Sequence, residues 1–282
     1  MGFGCNACGV TGCRIIDSPR ERLIAILTNN FVPCNGRFPT LISIITMFFT
    51  GTVAAGFCQS LVSTLILTAV IVFGVAMTLI VSRLLSGTLL KGMPSSFALE
   101  LPPYRVPQVG KVIVRSVFDR TLFVLGRAAA VAAPAGLFIW LMANTYIDGS
   151  SILAICSGFL DPFARLLGLD GVILTAFILG LPANEIVMPI IIMSYMAGGT
   201  ITDMSSVWEL HTLLTANGWT WLTAVCTMLF SLMHFPCATT CITIYKETGS
   251  FKWTAAAFLI PTVTGIIICF ITANAARLFL PV

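Results

Sequence analysis

Of the 282 residues, 57% are hydrophobic and only 9% are charged, with a formal net charge of +4. A chain this apolar lies outside the range of soluble globular domains and is that of an integral membrane protein. Its basic residues are scattered over short loops, a pattern of membrane topology that excludes nucleic-acid binding.

The apolar stretches 38–57, 60–85, 121–147, 171–197, 217–243 and 253–280 are each long enough to cross roughly 30 Å of hydrocarbon at about 1.5 Å per residue. They predict an all-α, polytopic helical membrane protein with a single membrane domain over 1–282. The opening "MGFGCNACGVTGCR" has no basic segment followed by an apolar one, so no cleavable signal is expected. Residues 1–37 combine an irregular, thiol-bearing segment with an amphipathic helix, and Arg14, Arg20, Arg22 and Arg37 place them on the cytoplasmic side. The connection from Arg83 to Arg120 is cytoplasmic too, carrying Arg83, Lys91, Arg105, Lys111, Arg115 and Arg120 against Glu100 and Asp119. Its prolines make 101–107 extended, and 108–120 is expected as a basic helix lying on the membrane surface.

Within 171–197 the sequence "FILGLPANEIVMPIIIM" sets Pro182, Asn184 and Glu185 in the middle of an apolar run. Residues 198–216 hold Asp203 and Glu209 but no Lys or Arg and are expected outside, whereas Lys246 and Lys252 mark a cytoplasmic turn. The count of crossings closes if 171–197 enters and leaves from the outside as two half-helices broken at "LPAN"; a single kinked span is the alternative. Irregular backbone at membrane depth is tolerated only where protein or a water-filled cavity surrounds it, and broken helices of this kind line transporter binding sites.

Glu185 is the leading functional residue, since an acid inside the membrane is costly unless used; the competing reading is a carboxylate neutralised by protonation or by Arg127. "HFPC", residues 234–237, breaks the 217–243 segment in the same way, with Pro236 freeing carbonyls beside His234 and Cys237. Asn184 is placed to bond freed backbone groups. The thiols divide. Cys58, Cys156, Cys226 and Cys269 are expected as small apolar fillers. Cys5, Cys8, Cys13, Cys34, Cys237 and Cys241 lie beside Gly, Asn or Pro in irregular turns, and all ten are expected reduced. Thiolate, imidazole and carboxylate together suit a divalent transition metal better than Ca²⁺ or Mg²⁺. The C-x2-C-x4-C run of Cys5, Cys8 and Cys13, with Cys34, has the composition of an iron–sulfur site as an alternative.

Five segments in order resemble the membrane domain of the bacterial ferrous-iron transporter B (FeoB) family. "GFGCNACGVTGCRIIDSPRERL" resembles its GCxVPxxxxxR and (P/D)RER elements, and "FVPCNGRFP" its PFxSCxAR(L/F)P. "ALELPPYRVP" is similar to its xELPxYxxP loop. "LPANEIVMPII" is similar to its A(x)KE(V/A)VV break, and "MHFPCATTCITIYKETGSFKW" to its Y(T/V)PCxAT…(R/K)(R/K)E(T/S)GSxKW ending. The resemblance implies Fe²⁺ transport across the bacterial cytoplasmic membrane. Fe²⁺ would be passing substrate and not a resident cofactor, contacting Cys5, Cys34 and Cys237 from three separate breaks with Glu185 compensating charge, and Cys8, Asn184 and His234 nearby.

The chain also departs from that pattern. Ala7 and Cys8 replace Val-Pro, Asn184 replaces a Lys, and His234 replaces a Tyr. No GxxxxGK[ST] phosphate loop occurs, so no GTP chemistry is expected from these residues. A separate GTP-binding domain, an upstream membrane half and a second copy of the chain are the partners this leaves open. So is the question whether the chain is a fragment, a split-gene product or a complete protein. An organic-solute transporter of the same gate-containing superfamily, moving a nucleoside for example, and a membrane-bound iron–sulfur redox protein are the two competing functions.

Overall fold

The computed structural model describes residues 2–51, 56–92, 123–147, 149–196 and 207–279 together with 108, 110 and 114, without the side chains of 123–125, 127, 128, 131 and 132. The expected extended 101–107 segment and most of the 108–120 surface helix lie outside the described residues, as do 198–206 and the Arg127 side chain.

The described residues form α1 (Asn6–Gly12), α2 (Pro19–Thr28), α3 (Phe38–Ile45, extended by a wide turn over Thr46–Thr50), α4 (Phe57–Gly87) and α5 (Phe123–Asn144). A short hairpin of β1 (Tyr146–Ile147) and β2 (Ser150–Ser151) leads to α6 (Ile152–Leu166), α7 (Gly171–Leu179), α8 (Val187–Tyr195) and α9 (Val207–Ala216). The chain continues through α10 (Trp221–Met233), α11 (Ala238–Thr248) and α12 (Phe251–Phe279). The protein is thus a polytopic helical membrane protein. Among the described residues three segments are long and apolar enough to cross a bilayer, α4, the broken α10–α11 unit and α12, and the bent pair α6–α7 makes a fourth if it is one span.

Local chemistry sets the boundaries. Ser18 caps α2 by accepting from the Glu21 N–H, with Pro19 at the first helical position, where its missing N–H costs nothing. Asp170 caps α7 and Thr220 caps α10 in the same manner. Gly249, at φ 63°, makes the left-handed turn that ends α11 and starts α12. Along α12 the buried positions Ala257, Pro261, Gly265, Cys269 and Ala273 recur every fourth residue, a stripe of small side chains against α10 and α11. Its other faces expose Leu259, Val263, Ile267 and Phe270, as α4 exposes Leu61, Leu65, Val72 and Leu79, in the manner of helices facing lipid.

The segment 171–197 is broken as expected, and it doubles back. Asp170, at the start of α7, accepts a hydrogen bond from the Tyr195 hydroxyl at the end of α8, and the Trp219 indole donates to that hydroxyl at 2.7 Å. Both ends of the pair therefore lie at one level, beside the start of α10. Residues 148–170, outside the expected spans, hold α6, a helix of 15 residues that folds back on α7 through a 109° bend. That bend depends on Gly171, where a Cβ would meet the Ser157 carbonyl oxygen at 1.9 Å and the Asp161 nitrogen at 2.9 Å. Gly171→Ala is expected to cost about 3 kcal/mol or more, because backbone cannot yield as a side chain can. Gly158→Ala, one turn away in open space, should be neutral or gain up to about 1 kcal/mol. Thermal unfolding of the two variants in detergent checks the contrast.

The long helices define two faces. One carries the Asp170–Tyr195–Trp219 cluster, Asp161 paired with Arg165, and Arg277 bonded to the Arg165 carbonyl. The opposite face carries the bidentate Arg14–Glu247 pair and Arg20, which holds the end of α4 through Ser86 and Leu90.

Candidate functional site

Pro236 cannot donate to the Leu232 carbonyl, so the α10–α11 helix opens at 234–237, with 13 helical residues before the break and 11 after it. One side chain takes up the freed carbonyls. The Arg37 guanidinium, 1% exposed, donates from Nη1 to Leu232 O (2.7 Å) and Asn30 O (2.9 Å). From Nη2 it reaches His234 O (3.2 Å), Phe235 O (3.4 Å) and the Asn30 side-chain oxygen (3.2 Å). The Asn30 amide donates in turn to His234 O at 2.6 Å. Arg37 was expected as a cytoplasmic loop charge and is instead buried at the centre. The charge count could not separate the two, because Arg37 lies one residue before the first apolar run.

The tip of the α7–α8 hairpin meets this break. The Ala238 N–H donates to Leu181 O at 2.8 Å, and His234 Nε2 lies 3.2 Å from the Asn184 amide. That amide also contacts Cys34 Sγ at 3.7 Å, so three breaks from distant parts of the chain join through one side chain. Asn184 was expected to bond freed backbone; it bonds side chains instead. His234 Nδ1 faces two carbonyl oxygens, Ser231 O at 2.9 Å and Phe230 O at 3.2 Å, and so carries a proton. With the Asn184 oxygen toward Nε2, both ring nitrogens face acceptor oxygens; turning the amide round pairs Nε2 with the amide nitrogen and gives the Cys34 S–H an acceptor. An ion reaching the Nε2 lone pair must then displace Asn184. Phe177, Phe230 and Phe235 pack around the imidazole.

Glu185 emerges on the exposed side of the tip, against Gly36, where a Cβ would lie 3.1 Å from its Cγ and 3.3 Å from Oε1. Among the described residues its carboxylate has no hydrogen-bond or ion-pair partner. Cys237 is half-buried at the N-terminus of α11, its sulfur 3.2 Å from the Thr240 hydroxyl. Helix α1 packs along α11, and the Arg14–Glu247 pair near their last turns makes them parallel. Cys5, immediately before α1, is therefore level with Cys237, and Asn35 N donates to Gly4 O at 3.2 Å beside it. Cys8 lies a turn further along α1 and is exposed.

All ten thiols are free. Cys226 and Cys269 are buried fillers as expected, but Cys58 is exposed on α4 and Cys156 half-buried. Among the described residues no three His, Cys, Asp or Glu side chains converge closely enough to hold one ion. What the structure brings together is Cys34, Asn184 and His234 in contact, with Glu185 beside Gly36; it places Cys5 and Cys237 at the same level on neighbouring helices. The arrangement offers single soft or charged ligands in succession around a helix break.

Two family models match the chain: one described as nucleoside recognition over residues 125–251, and one described as ferrous iron transport protein B C terminus over 67–120. The chain is 30% identical to the Fe(2+) transporter FeoB of Staphylococcus aureus across 99% of its own length, 27% identical to that of Methanocaldococcus jannaschii across 90%, and 24% identical to that of Campylobacter jejuni across 99%. It spans 40%, 37% and 46% of those relatives, respectively. No solved structure matches it. With similarity that runs from end to end and a ferrous-transporter C-terminal model inside it, the chain resembles the membrane portion of the ferrous iron transporter B family over its whole length.

Proposed function

We propose that this chain conducts Fe²⁺ across the bacterial cytoplasmic membrane through the junction of its three helix breaks. The observation that carries the reading is the meeting of Cys34, Asn184 and His234, with Glu185 alongside, about half-way along a helix long enough to cross. The face with Arg14, Arg20, Lys246 and Lys252 is cytoplasmic, since short loops rich in Lys and Arg stay inside. The opposite face holds a cavity of about 600 Å³ lined by Asp161, Asp170, Ser157, Ser194 and Asn217, a polar approach for a hydrated cation.

Fe²⁺ exchanges water for one or two ligands at a time. Glu185 supplies charge, and Cys34 and Cys237 supply soft donors, with Cys5 level with Cys237 and Cys8 a turn further along α1. His234 contributes only after Asn184 yields. Spreading the ligands avoids a closed four-coordinate site, which would trap the ion. No ion is held permanently and no reaction is catalysed by these residues; any GTP hydrolysis would lie on a missing or separate domain.

The test is flux into proteoliposomes containing the chain, with an internal iron-sensitive dye and, in parallel, radiolabelled uridine. Dye quenching on addition of Fe²⁺, without uridine entry, is the expected result. Uridine entry without Fe²⁺ entry would transfer the chain to the nucleoside reading that one family model's description suggests.

A further inference from the structure

The α10–α11 break frees a cluster of backbone carbonyls at membrane depth, and such clusters are what Na⁺ and K⁺ use to replace their hydration shells. Here the carbonyls of Leu232, His234 and Phe235 already face a cation, the Arg37 guanidinium. We infer that Arg37 is a specificity-determining residue, standing as a resident cation on the freed carbonyls so that a crossing ion finds side-chain ligands alone and Na⁺ and K⁺ find no cage. The inference rests on the proposal that ions cross at this junction.

Three features support it beyond burial. No carboxylate among the described residues pairs with Arg37, so its charge repels any second cation that approaches the same oxygens. Both terminal nitrogens bond, while Nε is buried without a partner. The group is therefore set on the carbonyls at the expense of its remaining donor, which is not how a guanidinium recruited to meet an anion is arranged. The geometry also needs Arg. Its planar fork spans Asn30 O, Leu232 O, His234 O and Phe235 O together, whereas a lysine presents one point charge. A divalent transition metal is less affected, because thiol, imidazole and carboxylate donors bind it without carbonyls.

The experiment uses proteoliposomes of the chain and its Arg37→Met, Arg37→Gln and Arg37→Lys variants, each first shown to be monodisperse in detergent. Entry of radioactive Na⁺ and of Fe²⁺ is measured side by side. The unaltered chain should hold Na⁺ back. Arg37→Met or Arg37→Gln, which uncaps the carbonyls and removes the charge, should raise Na⁺ entry by about tenfold or more, as loss of a full charge at contact distance requires. Arg37→Lys, which keeps a cation on the oxygens, should stay near the unaltered chain. Folded Met or Gln variants with Na⁺ entry at the original level would overturn the inference. So would loss of fold in both, since the guanidinium would then serve folding alone. Absence of Fe²⁺ entry in the unaltered chain would count against the transport proposal, while the Na⁺ comparison would still judge Arg37.

Discussion

Glu185→Gln is expected to leave the protein folded and inserted while lowering Fe²⁺ entry by more than about tenfold. Folding should survive because the carboxylate bonds to no described residue and sits on the exposed side of the hairpin tip; surface changes of this sort fall within about 0.5 kcal/mol. Entry should not survive. At an effective dielectric of about 20, a unit charge 4 Å from another contributes about 4 kcal/mol, and a divalent ion doubles that. About 1.4 kcal/mol of this surviving in the rate-limiting step already gives a factor of ten. Gln keeps the shape and one acceptor oxygen, so the comparison isolates charge. Flux equal to that of the unaltered chain, at matched protein per vesicle, would mean that Cys34, Cys237 and His234 pass the ion without an acid.

The breaks were legible in the sequence because proline leaves a specific mark: Pro182 and Pro236 each remove a backbone donor inside an apolar run, and the structure opens the chain at both places. The doubling back of 171–197 was legible only indirectly, from the charges of the flanking segments; the bonds that show it, from Asp170 to Tyr195 to Trp219, join residues whose proximity no local pattern encodes. Helix α6 was missed because Asp161, Pro162 and Arg165 interrupt its hydrophobicity. The Asp161–Arg165 pair, one turn apart at 2.6 Å, is itself a helical signal that could have found it. Arg37 escaped for the opposite reason. A rule that counts positive charges near the ends of spans treats all of them as solvated, and nothing in the sequence shows that four backbone carbonyls will converge on this one.

The two departures from the family pattern at 184 and 234 lie 50 residues apart in sequence, and the structure places their side chains 3.2 Å from each other. They are expected to behave as one change. A Lys at 184 would bring its ammonium against the His234 ring and toward Arg37, in a position only 7% exposed, whereas a Tyr at 234 would offer it a hydroxyl oxygen. Asn184→Lys alone is therefore expected to destabilise the protein by about 3 kcal/mol or more, the cost of a buried charge left unpaired. His234→Tyr alone should cost about 1–3 kcal/mol, because Asn184 loses its ring partner. Together they should recover at least about 1 kcal/mol relative to the sum, a coupling of the size contacting residues show. Unfolding of the four proteins in one detergent, each measured against temperature, gives the cycle. A double variant equal to the sum of the singles within about 0.5 kcal/mol would mean that the contact carries no coupling, and that the tip of the α7–α8 hairpin is free to move from the α10–α11 break without regard to what fills these two positions.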